Sequence, residues 1–304
     1  MLRDERHPIL GKIAAQLDQA VSARLRDGRP GDAHTTTLAR GDGWRVSDVV
    51  CTSGPGDRVF EEQHVGMSVA LVVSGTFEYR SARDPQLMSA GSMLLGNSGQ
   101  CFECGHTHAT GDRCIAFHYD DDRLVRIAAD VGIGREARRF SSPRIPPNKR
   151  STSLFARAAA MLGGSTTLSW EELSLDVAAT ALQLSTHAPI SRRVPPQALR
   201  RVTESIRQIE RKSSEQMKLS SLATEAGLSE FHYLRAFRQV TGVTPHQFLL
   251  RARLREAGAR LLAGDDRVID VALDSGFGDL SNFNHAFRAE VGATPTQFRR
   301  PRLG

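Results

Sequence analysis

Two stretches near the end of the chain repeat each other, and this repeat constrains the fold more than any other feature. The first is Leu222–Ser229 and its counterpart is Val271–Asp279, each a short apolar segment with a glycine, Gly227 or Gly276, near its end. The repeat continues through Ala-Phe-Arg, Gly, Thr-Pro and Gln-Phe, at an offset of 49 before the turn and 50 after it. Each copy fits a short helix, a glycine turn and a second helix. Two copies are too few for a solenoid, which needs about three or more.

Capping residues and one long helix complete the predicted arrangement. Ser229 and Asp279 are placed to accept hydrogen bonds from free amides at the start of each second helix. Thr244-Pro245 and Thr294-Pro295 are typical of the start of a following helix. From Pro245 to Leu262 the sequence can form one helix of about 18 residues, roughly 27 Å long. This helix would hold the two copies apart by a distance close to the roughly 34 Å between successive major grooves of DNA.

Residues 197–300 resemble the DNA-binding domain of AraC/XylS-family transcription regulators, and the second copy carries most of the resemblance. Gly276-Phe277-Gly278-Asp279 through Ala286-Phe287-Arg288, followed by Thr294-Pro295, is similar to the family signature. The resemblance implies seven helices with two helix-turn-helix units and a sequence-specific transcription regulator, which we expect to be an activator. It also implies double-stranded promoter DNA and RNA polymerase as partners.

The resemblance places the DNA-contacting side chains on the second helix of each unit. Arg235 offers two parallel donors to guanine O6 and N7, and the amide of Asn284 suits adenine. Phe231 stands where tryptophan is frequent and can pack on a thymine methyl group. Arg238 and Arg288 are expected at phosphates. The complete predicted set is Glu230, Phe231, His232, Leu234, Arg235, Arg238, Leu280, Ser281, Asn282, Asn284, His285 and Arg288.

The distribution of charge also favours a polyanionic partner. The formal net charge is +6, and residues 196–304 contain 17 Lys and Arg against 12 Asp and Glu. The remainder of the chain is almost balanced. A basic C-terminal third favours nucleic acid, because neutralising phosphates releases condensed counterions.

The first part of the chain has a different texture. Residues 8–27 carry apolar side chains at a spacing of four, which predicts a helix. Residues 35–120 contain short β-rich pieces separated by Gly- and Pro-containing breaks, one of them at Ser74-Gly75. Many short strands with regular turns favour a β-sandwich or barrel, and with the helical C-terminal region they predict an α+β chain. The predicted strands are Trp44–Cys51, Met67–Val73, Thr76–Tyr79, Ser92–Leu95 and Cys114–Tyr119.

Ser68–Tyr79 and Gly91–Gly99 resemble the cupin-like sensor domain that is common in the same family. The resemblance implies that residues 35–120 bind an effector, which the sequence does not identify. Enzymatic cupins hold iron or manganese with a His-x-His pair, a carboxylate and a later histidine; here only His64 precedes the first segment. We therefore expect no enzyme activity. The alternatives are a cupin-type metalloenzyme fused to a DNA-binding module and a DNA-repair methyl acceptor with one activated cysteine.

Cysteines and histidines cluster in the stretch Cys101–His108, with Cys51 upstream and Cys114 downstream. Without an export signal, structural disulfides are not expected. Thiolate and imidazole ligands suit tetrahedral zinc, and His106 and His108 would point to one side of a strand. There are two alternatives. One is a redox sensor whose thiol pKa values are lowered by histidines or Arg113, and the other is that the cysteines only pack in the core. The predicted zinc ligands are Cys101, Cys104, His106, His108 and Cys114.

The remaining segments set the predicted domain boundaries. Helical patterns occur at Asp122–Val131, Ser153–Leu162 and Glu171–His187. The last two carry apolar stripes, and because such helices often dimerise in the family we expect a homodimer. No apolar run approaches the roughly 20 residues that span a bilayer, and no secretory leader is apparent, so we expect a cytoplasmic protein without membrane contact. The predicted parts are an N-terminal helical segment 1–34, the cupin-like domain 35–120, a helical region 121–187, a proline-rich linker 188–196 and the DNA-binding domain 197–301.

Overall fold

The chain is an α+β protein, as predicted, in this computed structural model, which describes residues 9–81, 85–133, 139–164, 168–185 and 196–299. The strands are β1 (Ala33–Gly41), β2 (Trp44–Cys51), β3 (Phe60–Gln63), β4 (Met67–Arg80), β5 (Gln86–Ser89), β6 (Met93–Gly96), β7 (Cys101–Gly105), β8 (Asp112–Tyr119) and β9 (Arg144–Ile145). The helices are α1 (Ile9–Arg26), α2 (Asp121–Asp130), α3 (Lys149–Leu162), α4 (Trp170–Ser185), α5 (Pro196–Arg211), α6 (Leu219–Glu225), α7 (Glu230–Thr241), α8 (Pro245–Ala263), α9 (Val268–Asp274), α10 (Leu280–Val291) and α11 (Pro295–Arg299).

The strands form two antiparallel sheets that share the long strand β4. One sheet has the order β1-β2-β8-β4-β6-β9, and the other pairs β4 with β5 and β7, and β7 with β3. The strand break predicted at Ser74-Gly75 is wrong, because β4 continues through it with a shift of register against β8. Gly75 takes a φ of +78° there, and a Cβ on it would lie 2.4 Å from the Gly111 carbonyl oxygen. This close approach requires glycine.

Side chains alternate along β4 between two apolar layers. Val69, Leu71 and Val73 belong to the core between the larger sheet and helices α1–α4, whereas Ala70 and Val72 belong to the core inside the sandwich. The alternation follows from the two-residue period of a strand. The N-terminal region is therefore a β-sandwich with helices on one face, which is the architecture that the cupin-like resemblance implies.

Helices α3 and α4 bury their apolar stripes within the chain. Leu154 and Phe155 of α3, and Val177 and Leu182 of α4, are part of the core between the larger sheet and the helices. The stripes that suggested a homodimer thus cover the sheet, and a dimer would have to form through other surfaces.

Residues 196–299 contain seven helices, α5–α11, as the resemblance implies. Two separate apolar cores hold them. The first surrounds Phe237 and includes Leu87 of the β-sandwich; the second surrounds Phe287 and comes from α8–α11. The long helix predicted over residues 245–262 is α8, 19 residues long and about 28 Å in length, and it contributes to both cores.

The N-terminal and helical regions pack directly on each other along α3 and α8. A Cβ on Gly258 of α8 would lie 2.8 Å from the Cβ of Ala156, so the two helices approach closely. Of the predicted linker, residues 188–195 lie outside the described residues, and Pro196 begins α5. Within the described ranges, no helix combines the length and apolar character needed to cross a membrane.

Candidate functional site

Each helix-turn-helix unit consists of a short helix, a glycine turn and a longer helix. The turn glycines Gly227 and Gly276 have φ values of +63° and +88°, the left-handed region that favours glycine. Ser229 accepts a hydrogen bond from an amide in the first turn of α7, and Asp279 accepts one from the Asn282 amide at 2.7 Å. The predicted turns and caps are confirmed.

Buried aromatic side chains determine which face of each second helix remains exposed. Tyr233 and Phe237 are buried on α7, and Phe283 and Phe287 on α10, each pair four residues apart on one helix face. Leu234, which follows Tyr233 in the chain, is only half-buried. Tyr233 was not predicted as a core residue, although its spacing of four from Phe237 is the feature that identifies it.

The predicted DNA-contacting residues lie on the opposite, exposed faces of α7 and α10. Ten of the twelve are exposed, and only Leu234 and Leu280 are half-buried. Phe231 is the most unusual of them, because 71% of this large apolar residue is accessible to solvent.

Several of the basic side chains in the helical region are engaged by partners within the protein. Arg251 pairs with Glu290 at 2.8 Å and Arg267 with Asp270 at 2.7 Å. The number of basic residues in the sequence therefore overstates the charge available to DNA. Three arginines on the exposed faces form no ion pair with any residue in the described ranges: Arg235, Arg238 and Arg288.

A buried arginine joins the N-terminal region to the end of α7. Arg144 of β9 donates hydrogen bonds to the carbonyl oxygens of Val240 at 3.2 Å and Thr241 at 2.7 Å. These carbonyls close the helix, where a positive charge is favourable because they lack partners within it. Burial lowers the pKa of Arg144 to about 10. The helix end thus compensates the buried charge of Arg144, which forms no ion pair with a carboxylate in the described ranges.

Helix α5 makes a second polar contact with the β-sandwich. Arg207 donates to the Thr110 carbonyl at 3.2 Å, and the Glu210 carboxylate accepts a hydrogen bond from the Gly75 amide at 3.3 Å. Burial raises the pKa of Glu210 to about 7, although the Gly75 amide and the charge of Arg255 act in the opposite direction. This contact therefore contains a group that titrates near neutral pH.

Two of the predicted metal ligands, His106 and Cys114, meet in a buried cluster inside the sandwich. They lie there with Cys51 and Asp112. Cys104 packs against the same interior apolar core. Asp112 was absent from the predicted ligands, although its spacing of two from Cys114 on a strand places both side chains on one face.

The two other predicted ligands lie apart from this cluster. Cys101 begins β7 and is exposed, and His108 is half-buried in the turn between β7 and β8. The predicted common strand face of His106 and His108 is wrong. Strand β7 ends at Gly105, and the chain turns before β8 begins at Asp112.

The buried thiols do not have the acidity that a redox sensor needs. Burial raises the pKa of Cys51 to about 11, and it raises the pKa of Cys114 well above its ordinary value. Arg113, expected to lower a thiol pKa, instead forms two hydrogen bonds to Asp48, at 2.9 and 2.7 Å. Neither thiol therefore resembles an activated cysteine.

His64, the only histidine that precedes the first cupin-like segment closely, is fully engaged by protein groups. Its Nε2 lies 3.0 Å from the Tyr79 hydroxyl and its Nδ1 lies 3.1 Å from the Ser68 hydroxyl. Its ring stacks on Phe102 with centroids 4.2 Å apart. Both ring nitrogens are hydrogen-bonded, so this geometry does not support a cupin-type metalloenzyme centred on His64.

Sequence similarity to known proteins falls in the helical region. A helix-turn-helix domain family matches residues 222–301. The chain is 32% identical over 86 residues to the probable transcription factor PqrA of Proteus vulgaris, a match that covers 28% of this chain and 70% of that protein. It is 37% identical over 81 residues to the transcriptional activator RhaS of Klebsiella pneumoniae, covering 27% of this chain and 29% of RhaS. The match thus spans less than a third of this longer relative.

Comparison with solved structures gives matches with low TM-scores. The DNA-binding domain of AdpA, solved with a target DNA, is 30% identical and covers 32% of this chain and 88% of that chain, with a TM-score of 0.32. ToxT of Vibrio cholerae is 12% identical and covers 84% of this chain and 97% of that chain, with a TM-score of 0.35. A cupin superfamily protein of Desulfitobacterium hafniense is 13% identical and covers 30% and 81%, with a TM-score of 0.26. Because these TM-scores are low, the assignment of the chain to a protein family rests on the sequence similarity alone.

Proposed function

The chain belongs to the AraC family of DNA-binding transcription regulators, and we propose that α7 and α10 read promoter DNA while the N-terminal region controls how they engage it. The observation that carries this proposal is the two-sided character of both helices. Each buries aromatic side chains on one side and exposes arginine without an ion pair on the other, two arginines on α7 and one on α10. An exposed face of this kind supplies both base-edge and phosphate contacts.

The side chains on these faces suggest different roles in the proposed interface. Arg235 has the two donors that match guanine O6 and N7, and Asn284 has the amide that matches adenine N6 and N7. Phe231 offers an apolar contact for a thymine methyl group. Arg238 and Arg288 lie one turn further along and suit phosphates. Base preference would therefore come from both units.

The segment from Arg144 to Pro147 is the proposed route of control. Arg144 holds the end of α7, and the Pro147 carbonyl accepts a hydrogen bond from Arg251 at 2.7 Å. Arg251 also pairs with Glu290 of α10. A shift of this segment would alter the support of both recognition helices. An effector would exert such control by binding two states of the chain with different affinity.

Further partners follow from the family. We include RNA polymerase, an effector and a second copy of the chain in the proposal, and place the protein in the cytoplasm, where bacterial relatives would find promoter DNA. Light scattering on the full chain across a range of concentrations tests the second copy. A monomer mass throughout would remove the homodimer.

Selection from a random duplex library by the full chain tests the proposed function. We expect a selected motif with two parts, one for each unit. Arg235→Ala should weaken binding to that motif by about 1–3 kcal/mol and relax base preference in one part only. Arg200→Ala is the matched control, because Arg200 is exposed on α5 and pairs with Glu204.

Two different outcomes would contradict the role of Arg235 and the proposed function of the chain. Unchanged affinity of Arg235→Ala for both the motif and random duplexes would remove Arg235 from the interface. A wild-type chain that enriches no sequence at low salt would overturn the proposed function itself.

A further inference from the structure

Three side chains of metal-ligand type meet inside one end of the β-sandwich. Cys51 ends β2, Asp112 begins β8 directly opposite it, and His106 lies in the turn that leads into β8. One ligand atom from each residue lies within 4.8 Å of those from the other two. All three residues are buried, so they face one another in a space from which bulk water is excluded.

Cys114 brings a second thiol to the same place. It follows Asp112 by two residues on β8, so the two side chains share one face of the strand. Its Sγ lies 3.4 Å from Asp112 Oδ2, whereas Asp112 Oδ1 lies 2.8 Å from His106 Nε2. The carboxylate thus stands between a thiol and an imidazole.

His106 contains an atom whose hydrogen-bonding capacity is not satisfied. Its side chain is 1% exposed, and its Nδ1 is buried with no hydrogen-bond partner in the described part of the chain. Folded proteins pair nearly all such buried polar atoms, because an unpaired one is destabilising. His106 therefore brings to this end of the sandwich a buried ring nitrogen that no described residue satisfies.

We propose that Cys51, His106, Asp112 and Cys114 form a binding site for one zinc ion. Thiolate and imidazole ligands select zinc over magnesium, calcium or manganese, and four protein ligands are typical of a closed, structural site. Zinc–ligand bonds of about 2.0–2.3 Å separate tetrahedral ligands by about 3.3–3.8 Å. The ligand atoms of Cys51, His106 and Asp112, which lie within 4.8 Å of one another, therefore have to close by up to about 1 Å, and Cys114 has to approach from further away. Each thiol releases its proton to solvent as its bond to zinc forms.

The proposed zinc ion would fasten the turn of residues 106–111 to the end of β2. This turn already contacts the segment after β2 and helix α5. The Gly111 amide donates to the Ser53 carbonyl at 2.8 Å, and Arg207 of α5 donates to the Thr110 carbonyl. The site therefore supports the part of the sandwich that the DNA-binding domain contacts. It does not depend on DNA binding, so either proposal can fail without the other.

Metal analysis of the full chain, without an affinity tag and purified without chelator, tests the site. We expect about one zinc ion per chain. Exchange of zinc for cobalt(II) should then give thiolate-to-cobalt charge-transfer absorption in the near ultraviolet. Because that absorption requires sulfur ligands, it distinguishes this site from an adventitious one made of surface histidines.

Variants assign the ligands. Cys51→Ser and His106→Gln should lose most of the bound metal, and Cys114→Ser should reduce the charge-transfer absorption to about half, since one of two thiolates is removed. Cys101→Ser is the matched control, because Cys101 is exposed and lies outside the cluster, and it should retain full metal content. Circular dichroism identifies any variant that fails to fold.

Two results would overturn the proposal. One is a folded wild-type chain that contains no zinc and takes up no cobalt, a result that needs no variant. The other is loss of metal in Cys101→Ser equal to that in Cys51→Ser, which would move the site to the exposed cysteine.

Discussion

The two helix-turn-helix units share one plan but are supported differently. The apolar core of the first unit, α6–α7, includes Leu87 from the β-sandwich, and Arg144 holds the end of α7. The core of the second unit, α9–α10, comes from helices α8–α11, although α3 also lies against α10. The first unit therefore depends on the N-terminal region for part of its own interior. Of the two copies of the motif, the first is coupled to the N-terminal region, and the second is supported largely by helices of its own region.

The exposed faces of the two units have diverged as well. α7 presents Phe231 and Arg235, a large apolar and a long basic side chain. α10 presents Ser281, Asn284 and His285, which are shorter and polar. The buried aromatic side chains keep the framework, whereas the exposed residues are free to differ because they do not pack within the protein. The comparison thus distinguishes the buried residues that hold a recognition helix in place from the exposed residues proposed to contact DNA.

Removal of one buried aromatic side chain from each unit should have the largest effect, and it tests whether the two units are supported differently. Phe287→Ala and Phe237→Ala each delete a fully buried ring, so we expect losses of about 3–5 kcal/mol in the free energy of unfolding. Hydrogen exchange should then rise only within α8–α11 for Phe287→Ala. For Phe237→Ala it should also rise in β5, through the contact with Leu87. Identical exchange patterns in the two variants would remove the distinction.

Loss of the arginine at the end of α7 should have a smaller effect, and on the first unit alone. Arg144→Met leaves the Val240 and Thr241 carbonyls without their donor, at a cost of about 1–3 kcal/mol. We expect faster amide exchange near the end of α7 and unchanged exchange in α10. Arg150→Met is the control, since Arg150 is exposed at the start of α3. Equal disturbance of α10 would show that the segment supports both units alike.

Local features of the DNA-binding domain were predictable from the sequence. Gly227 and Gly276, and the caps Ser229 and Asp279, are fixed by the conformation of a few neighbouring residues, and the sequence pattern contains those residues. Ten of twelve predicted contact residues are exposed for the same reason. Helical spacing sets which side faces away from a buried aromatic.

Contacts between distant segments were not predictable in this way. Asp112 joins Cys51 only because β2 and β8 pair, and Arg144 reaches Thr241 only because the two regions dock. Gly75 was read as a strand break, yet it is required by the approach of Gly111 from the turn that leads into β8. Spacing within one segment contains no information on which segment packs beside it.

The smallest expected effect is a pH dependence of the contact between α5 and the β-sandwich. The pKa of Glu210 rises from 4.5 to about 7 on folding, because burial disfavours its charged form. The folded chain thus binds more protons than the unfolded chain between these values, so this stabilisation is complete below pH 4.5 and is lost as pH rises through 7. We expect a change on the order of 1 kcal/mol, because one pKa unit corresponds to about 1.4 kcal/mol. The measurement is the free energy of unfolding at pH 5 and pH 8. Glu210→Gln should gain relative to the wild type at pH 8, and the exposed Glu204→Gln should not; an equal gain for both would place the titration outside this contact.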